Sequence, residues 1–114
     1  MTTDEFAQIL ENRVEQCKKL TLGTKDKEYT RNNDKLWNFR RAGQIIGTTP
    51  ERALLGMMSK HIVSVLDIVD DELAGTWTPE SVFNEKFSDL HNYLFLLEAM
   101  LKERKELLKC SIVS

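Results

Sequence analysis

The stretch TPERALLGMMSKHIVSVLDIVDDE, from Thr49 to Glu72, decides the fold. It opens with an N-cap hydroxyl, a proline at the first helical position and an acid in the first turn, a combination that starts helices. Leu54, Met57, Met58, Ile62, Val65, Leu66 and Val69 then recur at helical spacing, predicting one amphipathic helix from about Pro50 to Glu72 that ends near Gly75. The same opening returns at Thr78-Pro79-Glu80. It predicts a further long helix from Pro79 past Leu108, with Val82, Phe83, Leu90, Tyr93, Leu94, Leu97 and Leu101 as its core face.

Upstream, a first helix is predicted from about Thr3 to Leu20, with Phe6, Ile9, Leu10, Val14, Cys17 and Leu20 on one face. A short helix follows from about Asp34, carrying Leu36, Phe39, Ile45 and Ile46, with Gly47 suited to its C′ position. Between these two lies a polar stretch, Thr21 to Asn33, and loops of that length in small domains are commonly functional. No segment alternates with a period of two. The expectation is an all-α fold: one domain over residues 1–114, a compact bundle of about four helices whose third and fourth are long.

Composition narrows the function. Hydrophobic residues at 41% and charged residues at 30% are those of a folded domain. A net charge of -2 argues against duplex nucleic acid, because phosphate-backbone binding needs an excess of Lys and Arg. No apolar run approaches a membrane span, and MTTDEF has neither the basic nor the apolar region of a signal peptide. Cys17 and Cys110 lie far apart and read as reduced thiols on helices. These features point to a cytoplasmic protein with no membrane partner. A helical core this small commonly completes its packing with a second copy, so a homo-oligomer is expected.

The informative residues are polar ones beside the apolar stripes. At about 100° per residue, Lys60, Ser64, Asp67 and Asp71 run along one edge of the third helix, with His61 nearer the stripe's centre. Glu85, Asp89 and Asn92 run along an edge of the fourth. Two such borders facing each other enclose a cleft. Carboxylates one turn apart repel by a few tenths of a kcal/mol, and a cation such as Mg²⁺ would relieve them. Lys60, Lys86 or Arg40 could supply positive charge to a phosphate. Aromatic and amide residues crowd the segment Lys27–Arg41: Tyr29, Trp37 and Phe39 could stack on a base, and Asn38 could hydrogen-bond it. Each feature also has an ordinary structural reading. The acids can be a solvated face, Lys86 can snorkel, His61 can be a hydrogen-bonded core histidine, and Met57 and Met58 can be packing.

These pieces resemble a phage and bacterial family called nucleotide modification associated domain 1, formerly a domain of unknown function. The matching stretches are Lys27-Glu28-Tyr29 with Asp34-Lys35-Leu36-Trp37-Asn38-Phe39, Gly47-Thr48-Thr49-Pro50-Glu51 with Ala53-Leu54-Leu55-Gly56-Met57, Lys60-His61 with Ser64 and Asp67, and Glu85-Lys86 with Asp89, Asn92-Tyr93 and Leu96-Leu97-Glu98. They span about residues 24 to 103. The resemblance implies nucleotide metabolism or base modification. A more distant similarity is to all-helical, MazG-like nucleoside triphosphate pyrophosphohydrolases, which hold Mg²⁺ with acids from neighbouring helices and cleave between the α and β phosphates. Glu85 and Asp89 resemble the later acidic pair of that family. The earlier acid-rich motif has no counterpart, its place being taken by Lys60-His61, Ser64 and Asp67.

The resulting expectation is a nucleotide, or a nucleotide-derived small molecule, bound between the third and fourth helices and covered by Lys27–Arg41. Lys27, Tyr29, Asp34, Trp37, Asn38, Phe39, Arg40, Lys60, His61, Ser64, Lys86, Asn92 and Tyr93 are the candidate binding residues. In a catalytic version Asp67, Glu85 and Asp89 hold Mg²⁺, Lys60, Lys86 or Arg40 neutralises developing charge, and His61 or a carboxylate such as Asp67 orients the attacking water. Two rivals stand beside it: a phage anti-defence protein that sequesters nucleotide second messengers without chemistry, and a helical interaction module with no ligand.

Overall fold

The computed structural model describes residues 1–23 and 34–113, with side chains to residue 110. It contains four helices: α1 (Thr3–Leu22), α2 (Trp37–Ile46), α3 (Pro50–Leu73) and α4 (Glu80–Val113). The all-α expectation, the helix order and the length of the last two helices are borne out. No helix among the described residues is long and apolar enough to cross a membrane.

Local chemistry sets most boundaries. The Thr2 hydroxyl accepts the Glu5 N–H while the Glu5 carboxylate accepts the Thr2 N–H, a reciprocal cap that satisfies two otherwise orphaned donors. Thr49 caps α3 through the Arg52 N–H at 3.2 Å, with Pro50 just inside, as its sequence predicts. Gly47 ends α2 at φ 70°, a left-handed conformation that costs a glycine little. The start of α2 differs: it begins at Trp37, not Asp34. The Asp34 carboxylate accepts the Leu36 N–H at 3.0 Å, a local turn that competes with helix at that point.

α3 and α4 form a hairpin, α2 packs on α3, and α1 packs on α4. Among the described residues α1 does not approach α3. The principal core is Leu36, Phe39, Leu54, Met58 and Met100, flanked by Met57, Leu90, Tyr93, Leu96 and Leu97. Each fully buried apolar side chain there contributes about 1.5–3 kcal/mol. α1 is joined to α4 by polar contacts. The Arg13 guanidinium donates to the Asn84 carbonyl (3.0 Å), the Asn84 side-chain oxygen (3.1 Å) and the Ser88 hydroxyl (2.9 Å). Beside it Cys17 is buried, and burial pushes its thiol above the usual range.

The apolar stripes are covered less fully than their spacing predicts. On α3 the buried residues are Ala53, Leu54, Met58 and Ile68, while Ile62, Leu66 and Val69 are exposed. On α4, Leu94 and Leu101 are exposed. On α1, Phe6, Ile9, Leu10 and Val14 are exposed and Cys17 alone is buried. The cause is architectural: among the described residues α1 has one helical neighbour, α4, and α3 is covered along the line facing α2 and α4.

Candidate functional site

The hairpin brings part of the expected constellation together. His61 on α3 meets α4 where its Nδ1 lies 3.7 Å from Asp89 Oδ2, with both side chains 24% exposed. The His61 ring also lies 4.6 Å from that of Tyr93, tilted by 36°. Tyr93 in turn takes Phe39 of α2 edge-on at 6.0 Å. Three helices therefore converge on one histidine–carboxylate–phenol group, half-covered and within reach of solvent.

Asn92, in the same turn of α4, has a different status. It is 7% exposed, and neither its Oδ1 nor its Nδ2 has a hydrogen-bond partner among the described residues. Buried polar groups in folded proteins are nearly always paired, and leaving one unpaired costs about 1–3 kcal/mol. Ser88, one turn earlier and 3% exposed, follows the rule through Arg13. The orphaned amide is thus peculiar to Asn92 and not to its helix.

The borders of the two helices face the same way. Among the described residues α2 is the only helix besides α4 that touches α3, so the flank on which Ala53 and Met57 are covered is that of α2. At about 100° per residue Lys60, Ser64, Asp67 and Asp71 fall on that flank, beyond the end of α2. On α4, Asn92 falls between the side touched by α1 (Asn84, Ser88) and the side touched by α2 (Glu103). Both polar borders therefore lie on the side of the hairpin that carries α1 and α2, with Asp89 partly covered and Asn92 buried.

Other expected residues have structural tasks instead. Phe39 is 8% exposed, so its faces are occupied by the core and not open to a base. Asp34 caps the turn before α2 and pairs with Arg40 at 2.8 Å. Arg40 also pairs with Glu103, so its Nε and Nη2 are engaged by two carboxylates that hold its guanidinium charge. Ser64 donates its hydroxyl to the Lys60 carbonyl at 3.1 Å, the usual retreat of a serine inside a helix. Lys86 lies 3.6 Å from Glu85. Trp37 is half-buried with the Arg41 guanidinium 6.0 Å from its ring centre, and Asn38 is exposed. Lys60 is exposed on the polar border, with no ion pair among the described residues. Lys27 and Tyr29 lie outside the described residues.

The acids do not assemble. Among the described residues no group of three or more His, Cys, Asp or Glu side chains gathers closely enough to hold a metal ion. Asp67 and Glu85 are exposed on their separate helices, while Asp89 is turned to His61. Asp67, Glu85 and Asp89 of one chain therefore do not fit Mg²⁺ as a resident ion. Sequence reading also passed over Arg13, whose partners lie 71 and 75 residues away and leave no local signal. Compared with protein-family models, curated proteins and solved structures, the chain finds no match, so its family resemblance rests on the residue pattern alone.

Proposed function

We propose that this chain is a small nucleotide-binding protein. The ligand lies along the polar borders of α3 and α4, in the space between α1 and α2. The observation that carries the reading is Asn92: a buried amide with an unused donor and an unused acceptor, beside a histidine–carboxylate–phenol group. One donor and one acceptor on a planar amide match the edge of a nucleobase, and recognition by a buried amide is selective because a wrong ligand leaves it unpaired. Lys60 provides positive charge and His61 a ring nitrogen for a phosphate, and Tyr93 supplies an aromatic contact. The resemblance to the nucleotide modification associated family supports the ligand class.

Binding without chemistry fits better than hydrolysis. The described carboxylates of one chain do not gather around an ion, and Lys60 replaces the acid at the border where a metal would sit. A phage-type protein that sequesters nucleotide messengers needs no more than this.

The test is a thermal-shift panel of nucleoside mono-, di- and triphosphates and cyclic nucleotides, in Mg²⁺ and in EDTA, with products followed by chromatography. The expected result is a raised Tm for one ligand class that survives EDTA without product. Lys60→Ala is expected to weaken the response to phosphorylated ligands alone. Turnover abolished by EDTA would replace sequestration with hydrolysis. No shift with any nucleotide would end the nucleotide reading.

A further inference from the structure

Asn92 has a counterpart on α1. The Thr21 hydroxyl, in the last turn of that helix, is also buried with no hydrogen-bond partner among the described residues. The register of the two helices puts them at one place. Arg13 reaches Asn84 and Ser88, and Cys17, one turn on, donates its thiol to the Ser88 carbonyl at 3.9 Å. Burial chiefly raises the pKa of that thiol, and the Asp89 carboxylate adds to the rise, so α1 passes close to Asp89 as well. α1 therefore runs beside α4 in the same direction, 71 positions behind it. One further turn of each helix brings Thr21 alongside Asn92.

The approach from α2 agrees. The Thr21 carbonyl accepts the Lys35 ammonium, and the next residue, Leu36, belongs to the core against which Tyr93 and Leu96 pack. Burial lowers the pKa of that ammonium, as expected of a poorly solvated place. Hydroxyl and amide each carry a donor and an acceptor, yet neither bonds the other. Buried polar groups are nearly always paired, so two that face each other unpaired across a helix contact form the walls of a site for a third group.

We infer that Thr21 is a second recognition residue of the nucleotide site: its hydroxyl and the Asn92 amide together grip the base edge and clamp the end of α1 onto α4. The inference rests on the nucleotide reading above and extends it to the kind of base. The amide supplies one donor and one acceptor, and the hydroxyl adds a third point that either donates or accepts. The pairing edges of guanine, cytosine and uracil carry three polar groups in a row. Adenine carries two on each edge and then a C–H, so it leaves one buried group unpaired. That deficit is worth about ten-fold in affinity. Neutral partners also suit an uncharged base edge better than a phosphate, whose charge would lose its water there. The phosphates stay with Lys60 and His61 on the border of α3.

The test compares the four bases, in each phosphate form of the thermal-shift panel and in EDTA, on wild type, Thr21→Val, Thr21→Ser and Asn92→Leu. In wild type a guanine, cytosine or uracil nucleotide is expected to bind about ten-fold tighter than the adenine nucleotide of the same phosphate form. Thr21→Val keeps the branched shape without the hydroxyl, so it should bring the favoured base down to the level of adenine. Thr21→Ser should restore the preference, which a packing role would not. Hydrogen exchange gives a reading that needs no variant: amides in the last turns of α1 should exchange more slowly with the favoured nucleotide bound. Adenine nucleotides that bind as tightly as the others overturn the inference, as does a Thr21→Val variant that keeps the full preference. If Asn92→Leu nevertheless abolishes the shift, the nucleotide reading stands without α1. A Thr21→Val variant that melts below wild type without ligand shows a hydroxyl already satisfied by trapped water, and also overturns it. No shift of wild type with any nucleotide ends both readings.

Discussion

Replacing Asn92 with leucine sets stability against recognition. Leucine keeps the branched, four-heavy-atom outline of asparagine, so the change removes an unpaired buried amide without opening a cavity, while its bulkier methyl groups offset part of the gain. An unsatisfied buried polar group costs about 1–3 kcal/mol, and an apolar replacement of the same shape recovers that cost. Unfolding entropy near 2.1 cal/mol/K per residue makes each kcal/mol worth about 4 °C in a chain of this length. Asn92→Leu should therefore melt above wild type by at most about 12 °C, less the cost of its added bulk, while losing the nucleotide-induced shift. Asn92→Asp should do the opposite to stability, since a carboxylate buried there lacks the same partners and also carries charge. Differential scanning calorimetry with and without the ligand reads both effects at once. If Asn92→Leu and the smaller Asn92→Val both melt lower than wild type, the amide is hydrogen-bonded in solution and the central observation is wrong. If it melts higher yet keeps the full shift, Asn92 is not a recognition group.

Three other perturbations test the scaffold. Arg13→Ala removes three hydrogen bonds between α1 and α4 and leaves the buried Ser88 hydroxyl unpaired, so urea unfolding should show a loss of about 2–3 kcal/mol; an unchanged midpoint would mean that α1 docks by other means. Gly43→Ala would bring its Cβ to 2.9 Å from the Thr48 carbonyl and 3.1 Å from Pro50 N, both backbone atoms that cannot swing aside. A cost of about 1–3 kcal/mol by the same assay is expected, and a neutral result would contradict the tight α2–α3 turn. Glu51 is bonded to Arg104 at 2.9 and 3.0 Å, chiefly holding its carboxyl below the usual range. A depressed folded pKa gives stability that is present above the unfolded pKa and is lost as pH falls through the folded one. Glu51→Gln should thus melt slightly below wild type at neutral pH, with the gap closing in acid; a pH-independent gap would assign the effect to packing.

The residue pattern alone determined the four helices, their order and most of their ends. Those features depend on neighbours within a few positions: the Thr2–Glu5 and Thr49–Arg52 caps and the left-handed Gly47 are local events, and helical periodicity is a property of the chain by itself. The polar borders of α3 and α4 were legible for the same reason. Tertiary structure decided which apolar line on each helix is covered. α3 carries two, and only packing against α2 and α4 chooses Leu54–Met58–Ile68 over Ile62–Leu66–Val69. Long-range contacts likewise decided that Phe39 is core, that Arg40 is bound to Glu103, that Asp89 faces His61 and that Asn92 is buried without a hydrogen-bond partner among the described residues. Spacing fixes the direction of a side chain around its own axis, whereas burial and pairing depend on where the neighbouring helix lies.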